Sequence, residues 1–279
     1  MYGRQKVLLY VLSQLKHREM PRSKTYVDKF LFVLGKETNV NGRIRFYDFY
    51  PHLYGPFSNQ FYLDIADLQS RAIIDDGLNV ISGSKIIDAM VTGKVKTAIN
   101  ERMDELGHTD IRNYVYSKYP EYTIRSKLKT HPPTRKEPHI FSIGYEGHTI
   151  DSFLNVLIQN GIDTVIDIRF NPFSMNFMFT KSKLSYYLAK CRIGYVHIPE
   201  LGIDGRYRRD LKTDSDYERL FDFYSSQILP MQKDRIREIE DRGRRKRVAM
   251  LCFEHEKDHC HRGIVGSIIE KHSISVTHL

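Results

Sequence analysis

Thr164-Val165-Ile166-Asp167-Ile168-Arg169-Phe170-Asn171-Pro172-Phe173-Ser174 is a short hydrophobic run that passes straight into polar and aromatic residues. Three other stretches of the second half have the same form. His139–Ile143 leads into Gly144-Tyr145-Glu146-Gly147, and Tyr195–Ile198 leads into Pro199-Glu200-Leu201-Gly202. Arg247–Phe253 leads through Glu254 to His259-Cys260-His261-Arg262. If these runs are parallel strands, all four polar clusters meet at one edge of one sheet. Open α/β sheets bind ligands at the carboxyl ends of their strands, so the pattern says where a site belongs.

Around these runs, strands and helices alternate from His139 onward. Strands are expected at 140–144, 164–168, 195–198, 247–253 and 275–278, with helices at 149–160, 181–192 and 262–272. An insertion at 203–245 contains the helical stretch Tyr217–Arg242. Alternating βα units imply a parallel sheet covered by helices. Upstream, residues 1 to about 90 read as mainly helical. Val7, Leu8, Val11, Leu12 and Leu15 keep a helical period, Tyr26–Gly35 reads as a second helix, and Ser58 is placed to cap a third over Asn59–Ser70. Arg43–Tyr50 is a strand or loop, and Tyr54–Ser58 a turn. Ala72–Asp75 and Val80–Ser82 flank a turn at Gly77-Leu78-Asn79 as a small hairpin. Helix, helix, helix, hairpin is the order of a winged helix. Ile86–Leu106 and Thr109–Tyr119 read as further helices, and Pro120–Pro138 as a linker. The fold class is therefore α/β: a winged-helix-like domain over 1–130 and a parallel-sheet domain over 139–279.

Composition narrows the function classes. The chain has 279 residues, 41% of them hydrophobic, and a formal charge of +9. No apolar run reaches the roughly 18 residues needed to cross a bilayer, and no signal-peptide pattern opens the chain. A cytoplasmic protein without a membrane partner is expected. The positive charge favours a polyanion, of which nucleic acid is the commonest. Three cysteines do not make a disulfide framework.

Asp167 and Arg169 share one face of their strand, either as an ion pair or as site residues. Asn171 and Ser174 stand in a loop that Pro172 keeps from being helical. Cys252 and Glu254 share a face of another strand, and Cys260, His261 and Arg262 stand at a helix start, where an anion or a thiolate is stabilised. Three chemistries compete. Zinc could use Cys252, Cys260 and His261, but Cys-x7-Cys-His is not a standard structural spacing, and adjacent ligands on Cys-His are awkward in one tetrahedron. A Cys260 nucleophile lacks the arginine a phosphatase loop would need, position 266 being glycine. The third is acid–base or electrostatic work by Glu146, Asp167 and Glu254 on a developing oxocarbenium ion. Two basic runs, Arg206-Tyr207-Arg208-Arg209 and Arg244-Arg245-Lys246, flank the cleft in sequence, with Tyr207 able to stack on a base.

Together the strand-end motifs resemble the DUF488 family over about 139–279. The carrying residues are Ser142–Gly147, Asp167-Ile168-Arg169 with Asn171-Pro172 and Ser174, Tyr195–Gly202, and Cys252-Phe253-Glu254 with Cys260-His261-Arg262. The resemblance implies an α/β domain that shares these polar residues, a nucleic-acid connection, and an insertion at 203–245 that varies among members. The N-terminal half resembles the YwgA-like and Panacea-like winged-helix group through Tyr54–Ser58, Leu68, Ile73-Ile74 and Tyr116–Pro120. There the helix at 59–70 would face a groove, with Asn59, Gln60 and Gln69 as base readers beside Asp64 and Asp67.

The expectation is a DNA-processing hydrolase, in its most specific form a base-excision glycosylase acting on a flipped base of double-stranded DNA. Asp167, Glu146, Glu254 and His261 are the expected catalytic residues. Tyr145, Arg169, Asn171, Ser174, Cys252, Cys260 and Arg262 are expected to bind substrate. No cofactor or metal is called for. The alternatives are a non-catalytic nucleic-acid-binding or ligand-sensing module and a metal-dependent nuclease.

Overall fold

Continuous burial of the central runs builds the C-terminal half. The computed structural model describes residues 1–81, 91–107, 109–129, 136–208, 211 and 213–279. It divides into two units, Met1–Pro132 and Pro133–Leu279. Among the described residues no helix is long and apolar enough to cross a membrane.

In the first unit, helices α1 (Gly3–His17) and α2 (Lys24–Glu37) bury the residues of the helical period, Val7, Leu8, Val11, Leu12 and Leu15 among them. Strands β1 (Tyr50–His52) and β2 (Gly55–Phe57) form an antiparallel pair. The expected turn at Tyr54–Ser58 is thus the second half of a hairpin. Helix α3 (Asn59–Ser70) begins where Ser58 Oγ accepts the Phe61 N–H at 3.3 Å. The hairpin expected after α3 consists of one bridge, Ile74 to Val80, with Ser82 outside the described residues. Helices α4 (Gly93–Leu106) and α5 (Ile111–Lys118) follow; residues 86–90 of the expected helix also lie outside the described residues.

Two expectations change here. Residues 120–129 are not linker: Tyr122 and Thr123 are buried, and Lys127 N–H bonds to the Leu53 carbonyl. Residues 130–135 of the expected linker lie outside the described residues. On α3, Asn59 is buried and bonded to the Tyr50 hydroxyl, so it is no surface base reader. Asp64 is turned inward, bound by Arg4 at 2.7 Å and by Tyr47, rather than facing solvent.

In the second unit the strands are β3 (His139–Gly144), β4 (Thr164–Asp167), β5 (Gly194–His197), β6 (Arg247–Cys252) and β7 (Val276–His278). They form one parallel sheet in the order β5-β4-β6-β3-β7. Their connections carry α6 (Ile150–Gln159), α7 (Lys181–Lys190), α8 (Asp214–Phe223), α9 (Lys233–Gly243) and α10 (His261–Lys271). Ile140, Ile166, Val248 and Met250 pack with α8, α9 and α10 through Leu220, Ile236, Ile239, Val265 and Ile269. Residues of opposite parity, such as Phe141, Val165 and Leu251, leave the other face to α6 and α7. The chain passes from β3 over the place later taken by β6 to reach β4. The strand order therefore reverses around β6, where such sheets open a crevice at their carboxyl ends.

Candidate functional site

At the carboxyl ends of β3, β4 and β6 the structure opens a cavity of about 390 Å³. That lies within the roughly 300–1,000 Å³ range of small-ligand sites. Tyr145, Arg169, Asn171, Ser174, Cys252, Glu254 and His261 all line it. With Arg208 of the first basic run, eight of the expected residues converge. Phe170, Phe173, Met175, Asn176, Phe253 and Arg208 complete most of the lining.

Two expected catalytic carboxylates are not in the lining. Asp167 is fully buried and clamped by Arg169, whose Nε donates to Oδ1 at 2.8 Å and whose second terminal nitrogen donates to Oδ2 at 2.6 Å. The Tyr195 hydroxyl donates to Oδ2 at 2.6 Å, and the Arg169 backbone N–H to Oδ1. With both oxygens engaged, Asp167 positions Arg169 instead of activating water. Burial, and then the adjacent Asp167, keep the Tyr195 phenol protonated far above its ordinary range. Burial opposes the Arg169 charge, but Asp167 holds the guanidinium ionised. Glu146 is exposed, and its carboxylate accepts the His255 N–H at 2.9 Å. It fastens a loop outside the cavity wall.

Arg262 is likewise corrected from substrate binder to internal peg. It is 1% exposed, and its two terminal nitrogens donate to the backbone carbonyls of Glu254 and His255. Gly144 makes this packing possible, because a Cβ there would run into the Glu254 carbonyl oxygen. The β6 end and the β3 end thus lock together.

What remains divides into two walls. On one, Arg169 donates to the Tyr145 hydroxyl at 3.2 Å and to the Phe179 carbonyl at 3.0 Å, and Tyr145 stacks on Phe179 with ring centroids 4.4 Å apart. Asn171 Oδ1 accepts the Phe173 N–H and Ser174 Oγ the Asn176 N–H, so both side chains shape the loop. That loop presents Phe170 and Phe173, 45% and 68% exposed, and Phe253 is 45% exposed nearby. Exposed aromatic groups around a cavity mark a binding surface.

On the other wall, Arg208 donates to Glu254 Oε1 at 2.8 Å, and Cys252 Sγ donates to Oε2 at 3.2 Å. Burial works against the Glu254 charge, yet the Cys260 thiol and Arg208 together draw its pKa down to about 2. His261 Nε2 lies 3.1 Å from the Ile168 carbonyl, which assigns its proton there and leaves Nδ1 as acceptor. Arg208 reaches that Nδ1 at 3.3 Å. In the thiol pair, burial opposes ionisation of both. Bonding from Cys252 and the neighbouring His261 bring Cys260 down, while Cys252 is pushed up. Cys260 is 1% exposed and lies behind the lining.

The basic runs separate. Arg208 lines the cavity, while Arg206 is exposed and paired with Asp204. Tyr207 rests near Phe223, and Arg209 lies outside the described residues. Arg244, Arg245 and Lys246 precede β6, at its amino end. At about 3.3 Å per residue, the six residues of that strand set them roughly 20 Å from the cavity. They do not flank it.

Sequence reading missed Arg208 as the partner of Glu254, Tyr195 as the partner of Asp167, and the aromatic rim. Tyr195 was within reach: Val165 pairs with Tyr195, so Tyr195 shares a face with Asp167 two residues on. The aromatic signal lay in Phe170-Asn171-Pro172-Phe173, apolar rings in a loop with no core to fill.

The family model described as "Domain of unknown function DUF488" matches residues 149–269, so the C-terminal unit is a DUF488 domain. The match runs from the start of α6 into α10 and takes in Arg169, Cys252, Glu254, Cys260 and His261. It leaves β3 and Tyr145 outside. No curated protein and no solved structure matches the chain.

Proposed function

We propose that this DUF488 domain is a hydrolase acting on a nucleic acid, with one nucleotide unit turned out of the stack into the strand-end cavity. The observation that carries the reading is the pairing of an aromatic rim with charged groups on the inner wall of one cavity. Phe170, Phe173 and Phe253 offer faces for a base, and stacking on aromatic rings contributes about 1–3 kcal/mol per base. Arg208 supplies a guanidinium for phosphate or for the polar edge of the base. Glu254 is the one carboxylate of the lining among the described residues, so acid–base or cation-stabilising work falls to it alone. The net charge of +9 suits a polyanionic partner.

In its most specific form the reaction is base excision: water adds at the sugar carbon, the glycosidic bond breaks, and the base leaves with the bonding electrons. Glu254 faces the developing positive charge on the sugar, and His261 stands beside it. The test uses end-labelled duplexes that each carry one damaged, mismatched or modified base. Strand breaks that form only after hot alkali, with wild type and not with Glu254→Gln, are the expected result. Intact strands on every substrate, with binding retained in a shift assay, would instead favour a non-catalytic binding or sensing module.

A further inference from the structure

We infer that Cys252, Cys260 and His261 form a zinc site at the floor of the cavity, with a fourth position directed toward Glu254. The spacing Cys-x7-Cys-His argued against one tetrahedron; the fold overcomes it by bringing the β6 end against the start of α10. The three ligand atoms all lie within 4.8 Å of one another, and all three residues are buried. Cys252 Sγ is 3.6 Å from His261 Nδ1, and Cys260 Sγ is 4.0 Å from the same nitrogen. With zinc–sulfur bonds of about 2.3 Å and zinc–nitrogen bonds of about 2.0–2.1 Å, a tetrahedron sets sulfur and nitrogen about 3.6 Å apart.

Three further observations agree. His261 directs Nε2 at the Ile168 carbonyl at 3.1 Å, the outer hydrogen bond that orients a metal-binding imidazole and frees Nδ1. Cys252, His261 and Glu254 line the cavity, so an ion has an entry path. Arg208 supplies the counter-charge. Two thiolates and a neutral imidazole cancel the charge of a divalent ion, and the negative charge that Glu254 adds beside it is balanced by Arg208, which bonds Oε1. Loading needs two adjustments: Cys252 Sγ, which is also 3.8 Å from Nε2, must shift toward the Nδ1 edge, and Arg208, 3.3 Å from Nδ1, must yield that nitrogen. Two thiolates and an imidazole suit zinc among the common metals. Three protein ligands with the fourth position facing a cavity is the pattern of catalytic zinc.

This inference stands on ligand geometry and does not depend on the proposed reaction. Its test reads metal, so the failure of either leaves the other standing. The full chain, freed of metal and checked for folding by circular dichroism, is titrated with cobalt(II) and with zinc. One equivalent is expected to bind, with near-ultraviolet sulfur-to-cobalt charge transfer and the visible bands of a tetrahedral two-thiolate centre. Zinc should displace the cobalt. Cys252→Ser and Cys260→Ser should each weaken binding by more than the roughly 10–100-fold that loss of an outer partner costs, and Cys191→Ser should change nothing. A folded wild type that binds no cobalt, a spectrum without sulfur charge transfer, or binding that survives in the double Cys252→Ser, Cys260→Ser variant would overturn the assignment. The wild-type titration decides the matter even if a variant fails to fold.

Discussion

Asp167 and Glu254 are both strand-end carboxylates, yet their surroundings give them different work. Asp167 is sealed beneath Arg169 and Tyr195; Glu254 faces the cavity. Asp167→Ala should therefore act through stability. It leaves a buried guanidinium without its counter-charge, and breaking a buried pair costs about 3–5 kcal/mol. The midpoint of urea unfolding should fall accordingly, and an unchanged midpoint would contradict the clamp. On the proposed reading, Glu254→Gln should instead leave the fold and nucleic-acid binding intact while turnover drops about 10²–10⁴-fold, the range for a lost acid–base group. Steady-state kinetics beside a shift assay separates the two effects. Period-2 alternation in the sequence placed Asp167 beside Arg169 and Cys252 beside Glu254. It could not say which face stays open, because that depends on Tyr195 and Arg208, which arrive from distant segments.

Among elements, the ends of β3 and β6 carry the most specific constraint. Gly144 lets the Glu254 carbonyl approach, and Arg262 pins that carbonyl from beneath. Gly144→Ala should force the strand ends apart and cost about 1–3 kcal/mol, as overpacking does, and it should also disturb the cavity wall. Thermal unfolding with ligand binding checks both. Helix α6 opens on a reciprocal cap: Thr149 Oγ1 accepts the Ser152 N–H at 3.1 Å, and Ser152 Oγ accepts the Thr149 N–H at 3.0 Å. Thr149→Ala should cost roughly 0.5–2 kcal/mol without altering the site, a contrast that denaturation and binding together reveal. Strands and helices of this half were legible because the central runs are hydrophobic throughout and turn signals bound them. Helix α3 was legible from Ser58. Residues 120–129 were not, because their Pro, Lys and Thr composition reads as linker while burial of Tyr122 and Thr123 ties them down.

On the scale of the whole molecule, each unit has its own electrostatics. In the first, Glu37 is bonded by Tyr119, Tyr114, Lys118 and Arg102. Burial resists its charge, but these partners hold its pKa below the ordinary carboxylate value. A depressed carboxylate contributes stability that is present above its unfolded pKa, about 4.3 for Glu, and lost as pH falls through the folded value. Acidification below that point should weaken the wild type more steeply than Glu37→Gln, as scanning calorimetry over a pH series would show. In the second unit the charge of the basic runs is spread over opposite ends of the sheet. Only Arg208 of those runs lines the cavity among the described residues. The sequence showed these runs as flanking the cleft because neighbours in sequence lie at opposite ends of a strand. The most direct measurement is therefore photo-cross-linking of a duplex that carries one photoreactive base, with the attached residue identified by mass spectrometry. Attachment to Phe170, Phe173 or Phe253 is expected. Attachment confined to Arg244, Arg245 and Lys246, with none at the cavity, would contradict the proposal that nucleic acid enters the strand-end site.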